Sequence, residues 1–172
     1  QAADVWTRHE IGKGNTDVGG TSFDFNGDGW VDVFSGSKIL LNTGKPKKEP
    51  FVAHDVGSIH SHDSELADIN GDGKMDAIAN SDTTGLFWYE IPADPTNKWK
   101  EHTIITAKKH EIHGGVSPKA VGDLDGDGDA DVVTGQAWYE NAEGKGLKWI
   151  QHKNIDFGEK HKYGIALKTW VP

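Results

Sequence analysis

The chain has 172 residues, 35% of them hydrophobic, enough for one domain with its own core. A formal charge of −9 argues against a nucleic-acid backbone as partner, and the absence of cysteine excludes disulfides and thiolate metal sites. No apolar run approaches the length of a membrane span. The opening, Gln1-Ala2-Ala3-Asp4, is compatible with a mature end left by signal cleavage.

Taken in chain order, the first element is Trp6-Thr-Arg-His9-Glu-Ile11, an aromatic followed by a histidine and a β-branched residue. The acidic run Asp24-Phe-Asn26-Gly-Asp28-Gly-Trp30-Val-Asp32 comes next and leads into a predicted strand, Val31 to Phe34. A second strand is expected in Lys38-Ile-Leu-Leu41-Asn42. The aromatic motif then returns as Phe51-Val-Ala-His54-Asp-Val56, and the acidic run as Asp68-Ile-Asn70-Gly-Asp72-Gly-Lys74-Met-Asp76. Strands follow at Ala77 to Ala79 and in Leu86-Phe87-Trp88-Tyr89-Glu90. The third round reads Trp99-Lys-Glu-His102-Thr-Ile104, then Asp123-Leu-Asp125-Gly-Asp127-Gly-Asp129-Ala-Asp131, then strands at Val132 to Thr134 and Ala137-Trp138-Tyr139-Glu140. A fourth round opens with Trp149-Ile-Gln-His152-Lys-Asn-Ile155. Its Gly164 to Pro172 resembles Gly115 to Gly122 of the third, and the sequence stops where the next acidic run would begin.

The leading aromatics stand at 6, 51, 99 and 149, hence 45, 48 and 50 residues apart. A period near 40–50 residues built from short strands is the mark of propeller blades. No 3.6-residue periodicity interrupts it, and the 22 glycines break every candidate helix. The expected fold is all-β: a β-propeller of four-stranded antiparallel blades, forming part of a larger ring of about seven blades. The whole chain, 1–172, reads as one partial propeller domain with repeats at 6–50, 51–98 and 99–148 and an incomplete fourth at 149–172. Open blade faces call for a cover, either further blades or another subunit.

The three acidic runs point to Ca²⁺. Calcium takes about 6–8 oxygen ligands, many of them carboxylates. Residues at loop positions 1, 3, 5 and 9 converge on a tight turn, and glycines at positions 4 and 6 let the backbone curl. Position 7 contributes its backbone carbonyl. Three sites follow: Asp24, Asn26, Asp28, Trp30 and Asp32; Asp68, Asn70, Asp72, Lys74 and Asp76; Asp123, Asp125, Asp127, Asp129 and Asp131. An EF-hand is excluded, because position 12 holds Ser35, Ala79 and Thr134 in place of its bidentate Glu, and strands follow in place of helices. One Asp/Gly turn forms readily without metal, but three in register with a fold repeat are a different signal.

The repeated Asp-x-Asn/Asp-Gly-Asp-Gly-x-x-Asp loop leading into a strand resembles the FG-GAP or VCBS type of propeller repeat, over almost the whole chain. The resemblance implies calcium as a structural ion near the blade periphery. It implies a secreted, periplasmic or cell-surface setting, commonly bacterial. Adhesion modules, lectin-like modules and polysaccharide lyase domains all occur in that family, so no single activity follows.

Nine histidines divide into two groups. His9, His54, His102 and His152 recur with the repeat and are expected to be structural, hydrogen-bonding between neighbouring blades. The aromatics Trp6, Phe51, Trp99 and Trp149, with Trp88 and Trp138, are expected to pack between blades. His60, His62, His110, His113 and His161 lie in segments entering the innermost strands, where Asp17, Asp63, Glu65, Glu111 and Lys119 join them. His60, His62, Asp63, His110 and His113 are therefore the candidate ligand-binding set. The reading favoured is a calcium-stabilised module that binds a glycan or a protein partner. The alternative is a carbohydrate-active enzyme, such as a polysaccharide lyase, with His60, His62, His110 and His113 as acid–base candidates. Phosphate loops, nucleophile elbows and dinucleotide fingerprints are absent.

Overall fold

A computed structural model describes residues 7–12, 20–59, 61–81, 83–108, 120–134 and 137–153. Among them there is no helix, only twelve strands in three antiparallel sheets of four. The first sheet contains β1 (Thr21–Phe23), β2 (Asp32–Ser35), β3 (Lys38–Leu41) and β4 (Val52–Asp55), paired in that order. The second contains β5 (Asp63–Ala67), β6 (Asp76–Ser81), β7 (Gly85–Glu90) and β8 (Lys100–Thr106). The third contains β9 (Val121–Gly122), β10 (Asp131–Thr134), β11 (Ala137–Asn141) and β12 (Trp149–His152). Each is an up-and-down meander, the form of a propeller blade.

Every sheet begins before an Asp loop and ends with the aromatic–His strand. The repeat positions 51, 99 and 149 thus fall at the entry to the fourth strand of a sheet, not between sheets. The remainder of the fourth repeat, beyond Lys153, lies outside the described residues.

Register shows how closely the blades copy one another. Ile39 pairs with His54, Trp88 with His102 and Trp138 with His152, so these are equivalent third-to-fourth-strand pairs. The first strands are neighbours in space. β1 contacts β5 and β5 contacts β9, and the Thr21 hydroxyl donates to Ser64 O at 2.7 Å.

Two apolar seams hold the sheets face to face. Between the first and second sheets lie Phe34, Ile39, Val56, Ile59, Ala77, Ala79, Tyr89 and Trp99. Between the second and third lie Ile69, Ile78, Leu86, Trp88, Val132, Ala137 and Tyr139 with their neighbours. Burying each large side chain stabilises by about 1.5–3 kcal/mol before entropy is counted. Because the second sheet is covered on both faces, all six residues of β6 are buried and it shows no alternation. In β2, by contrast, Asp32 and Phe34 are buried while Val33 and Ser35 are only half-buried.

The backbone repeats its seam contacts as well. The Trp99 amide donates to Val56 O and the Phe51 amide to Ile11 O, both at 2.8 Å. The carbonyl of the β-branched residue closing each of these two motifs thus receives the amide of the next leading aromatic.

Candidate metal centres and the histidine-bearing rim

The three Asp loops join the first strand of each sheet to the second, all on one rim. In each, the position-1 carboxylate bonds the loop's own amides. Asp24 accepts from Asp28 N at 3.1 Å and Gly29 N at 2.8 Å. Asp68 accepts from Gly71, Asp72 and Gly73. Asp123 accepts from Gly126 and Gly128. Asn26, Asn70 and Asp125 at position 3 accept the position-5 amide. Asp28, Asp72 and Asp127 at position 5 accept the position-7 amide. Glycines at positions 4 and 6 have φ between +70° and +96°, where a β-carbon is disfavoured. The curl is written into the residue types.

The position-9 aspartate differs. Asp32, Asp76 and Asp131 are buried, at 0%, 3% and 0% exposure, and each bonds the position-2 amide: Phe25, Ile69 or Leu124. Asp32 and Asp131 also accept the amides of Asn42 and Asn141 with the second oxygen. Burial, and then the neighbouring loop carboxylates, raise the pKa of Asp76 to about 6. Asp32 and Asp131 are likewise raised, with burial the largest cause. These groups sit in an environment with excess negative charge, which a cation would relieve.

The donor sets fit calcium. Every side chain that converges offers oxygen, with no nitrogen ring or sulfur among them. In the third loop, carboxylate oxygens of Asp123, Asp125 and Asp131 lie within 4.8 Å of one another. Asn26 and Asn70 occupy position 3 in the first two loops, so only the third brings three carboxylates together in this way. Asp129 goes beyond the sequence reading, which used only its backbone carbonyl. Its Oδ1 is buried with no hydrogen-bond partner, and burial, then Asp127 and Asp131, raise its pKa to about 6. A fifth acidic residue within a nine-residue loop was the visible signal. At the same position, Lys74 places its Nζ 3.4 Å from Asp72 Oδ2, and Trp30 is 51% exposed.

The opposite rim carries the segments entering the first strands. Of the candidate ligand set, His62 and Asp63 are described: the His62 amide donates to Asn80 O at 2.9 Å, and its Nδ1 is 3.4 Å from Asp63 Oδ2. His60, His110 and His113 lie outside the described residues, as do Asp17, Glu111, Lys119 and His161. Glu65 accepts the Leu66 amide with Oε1.

The repeat histidines require a correction. His102 and His152 do not bridge blades. His102 stacks on Trp88 with centroids 4.0 Å apart and an interplanar angle of 6°, and its Nε2 lies 2.9 Å from Glu90 Oε1. His152 stacks on Trp138 at 4.1 Å, with Nε2 2.6 Å from Glu140 Oε2. All four partners lie on the third strand of the same sheet, where register sets each Trp directly opposite the histidine and each Glu two residues further on. In the first sheet Ile39 and Leu41 take the places of Trp and Glu, and His54 has neither partner.

Of the aromatics expected to pack between blades, Trp88, Trp99 and Trp149 join the two seams, whereas Trp138 stacks on His152 of its own sheet, Phe51 belongs to neither apolar cluster, and Trp6 lies outside the described residues. Trp88 is fully buried in the second seam and donates its indole N–H to Gly146 O of the third sheet at 2.8 Å. Trp99 reaches across the first seam to Phe34, 4.8 Å between centroids, and Phe25, 5.9 Å.

A search of curated proteins finds no match to this sequence. The family model for the FG-GAP-like repeat matches twice, over residues 24–79 and 68–134, each match containing two successive Asp loops. These matches cover more than half of the chain and coincide with the loop-and-strand unit that the three sheets repeat, and the chain belongs to the FG-GAP-like repeat family.

Proposed function

We propose that this chain is a calcium-stabilised, extracytoplasmic interaction module that binds a glycan or a protein partner. The observation that carries the metal reading is the third loop, where three carboxylates converge and a fourth, Asp129, buries an oxygen with nothing to bond. Ions in the loops would cancel the like-charge repulsion among groups held close by the backbone curl. They would also join that curl to the buried position-9 aspartate at the head of each second strand. Ion binding at this rim therefore rigidifies the blades and leaves the opposite rim and the outer strands to present a binding surface. A setting outside the cytoplasm, where calcium is plentiful, suits sites of this kind.

The loops are not equal. The first and second contain three carboxylates each, the third five, and Lys74 offsets one charge in the second. Charge count tunes calcium affinity. The third loop should bind most tightly and the second most weakly.

The test is thermal unfolding in millimolar calcium against chelator. A single site saturated a hundredfold above its Kd adds about 2.7 kcal/mol, so the midpoint should fall by several degrees on chelation. Magnesium at equal concentration should restore little of it, because that ion demands a stricter octahedral shell. Identical melting curves with and without calcium would defeat the metal reading.

A further inference from the structure

On the face of the second sheet turned toward the first, a cleft of about 410 Å³ opens beside the outer strands. Its walls are Ser58 from the connector between the sheets, Ser81 and Thr84 at the β6–β7 turn, Phe87 and Tyr89 of β7, and Glu101 of β8. It runs along the outer strands from the β6–β7 turn, at the end opposite the Asp loop, to Tyr89 and Glu101, which lie level with Ala77 beside Asp76. The metal sites and the cleft share no residue.

The lining is a mixture that core packing alone does not call for. Phe87 is half-buried and Tyr89 is buried, so one wall is aromatic. The Tyr89 hydroxyl donates to Glu101 Oε2 at 3.1 Å, which orients the carboxylate. Burial, and then the adjacent Glu101, push the Tyr89 hydroxyl pKa well above its ordinary value, so it remains a donor. Ser81 is turned to Thr83, with the hydroxyls 3.0 Å apart. Among the described residues, the hydroxyls of Ser58 and Thr84 have no hydrogen-bond partner and Glu101 has one carboxylate oxygen uncommitted. Two hydroxyls and a carboxylate oxygen with no partner among the described residues, together with an aromatic wall, thus face one space within the usual size range of small-ligand sites, about 300–1,000 Å³.

We propose that this cleft binds a neutral polyhydroxylated ligand, one sugar ring of a neutral glycan, with Glu101, Ser58 and Thr84 as its polar contacts and Phe87 and Tyr89 as its apolar wall. Glu101 accepts ligand hydroxyls in charge-assisted bonds, while Ser58 and Thr84 both give and accept. The C–H face of a sugar ring meets the aromatic wall. Anionic sugars and phosphates are rejected, because Glu101 is the one charged group among the described lining residues and the chain is acidic overall. The proposal rests on the module reading above and specifies its ligand class and location.

The experiment is saturation-transfer NMR on the calcium-saturated protein, with the methyl glycosides of glucose, galactose and mannose, and with glucuronic acid as the anionic probe. Transfer to at least one neutral glycoside and none to glucuronate is expected. Glu101→Gln and Ser58→Ala, both at exposed positions, should each weaken binding about tenfold or more while the calcium-dependent melting midpoint stays unchanged. Tyr89→Phe, which keeps the ring in the core, should weaken it less. No transfer from any of the three glycosides would overturn the proposal, as would equal binding of glucuronate. Binding undiminished in both Glu101→Gln and Ser58→Ala would also overturn the cleft while leaving the module reading intact. Loss of the calcium effect on melting would remove the module reading instead, a separate readout in the same samples.

Discussion

The two seams place equivalent residues against each other and hold them by different chemistry. In the first, position 2 of the Asp loop is Phe25, which packs against Trp99 of the second sheet. Ile91, two residues beyond the β6 partner Tyr89, joins the same apolar cluster. In the second seam the loop residue is Ile69, and the place of Ile91 is taken by Asn141, two residues beyond Tyr139. Asn141 is fully buried; its Nδ2 donates to Ile69 O at 2.8 Å and its Oδ1 accepts the Gly146 amide at 2.8 Å. Lys145 adds a bond from Nζ to Asn70 O at 3.1 Å. One seam is closed by aromatic contact and the other by a polar staple on the loop backbone. Loop two is thus tied to its neighbour through its main chain, and loop one through a side chain.

Breaking the aromatic seam should cost most. Trp99→Ala removes a buried ring that fills the gap between Phe25 and Phe34, and we expect about 3–5 kcal/mol, read by denaturant unfolding in calcium. A loss near 1 kcal/mol would mean that the sheets close without it. Gly146→Ala attacks the other seam. With φ at +66°, its β-carbon would stand 2.7 Å from the Trp88 ring and 2.8 Å from Ile69 Cγ2, so about 2–4 kcal/mol is expected from overpacking and backbone strain together. Asn141→Ala leaves the Ile69 carbonyl and the Gly146 amide buried and unpaired, for about 2–3 kcal/mol. Because Trp99 and Asn141 serve different seams, their costs should add when combined. Lys145→Ala is the smallest, within ~0.5 kcal/mol, since its contact is exposed. Should Asn141→Ala prove as mild as Lys145→Ala, the staple would be geometry without energetic weight, and the contrast between the seams would collapse.

The blades and loops were legible in the sequence because both are periodic. A nine-residue Asp/Gly pattern fixes its own curl through short-range bonds, and strand order follows from meander connectivity. The seam chemistry was not legible. Asn141 and Ile91 occupy equivalent places, but hairpins of different length hide the equivalence until strand register is known. The roles of His102 and His152 were missed for a similar reason, since a cross-strand stack depends on which residues lie opposite one another. Asp129 was read through its carbonyl because the pattern assigns position 7 by backbone, and only burial of its side chain reveals the extra carboxylate. The cleft at Glu101 draws on four separate segments and has no linear signature at all.

One carbonyl in the second seam has an optical consequence. Gly146 O accepts both the Trp88 indole at 2.8 Å and the Trp149 indole at 2.9 Å. Two chromophores from different sheets therefore share a single acceptor, and parting the sheets strips it from the Trp88 N–H while Trp149, three residues along the same hairpin, keeps its bond. Among the described tryptophans, Trp88 is thus the one whose indole N–H reports directly on that joint.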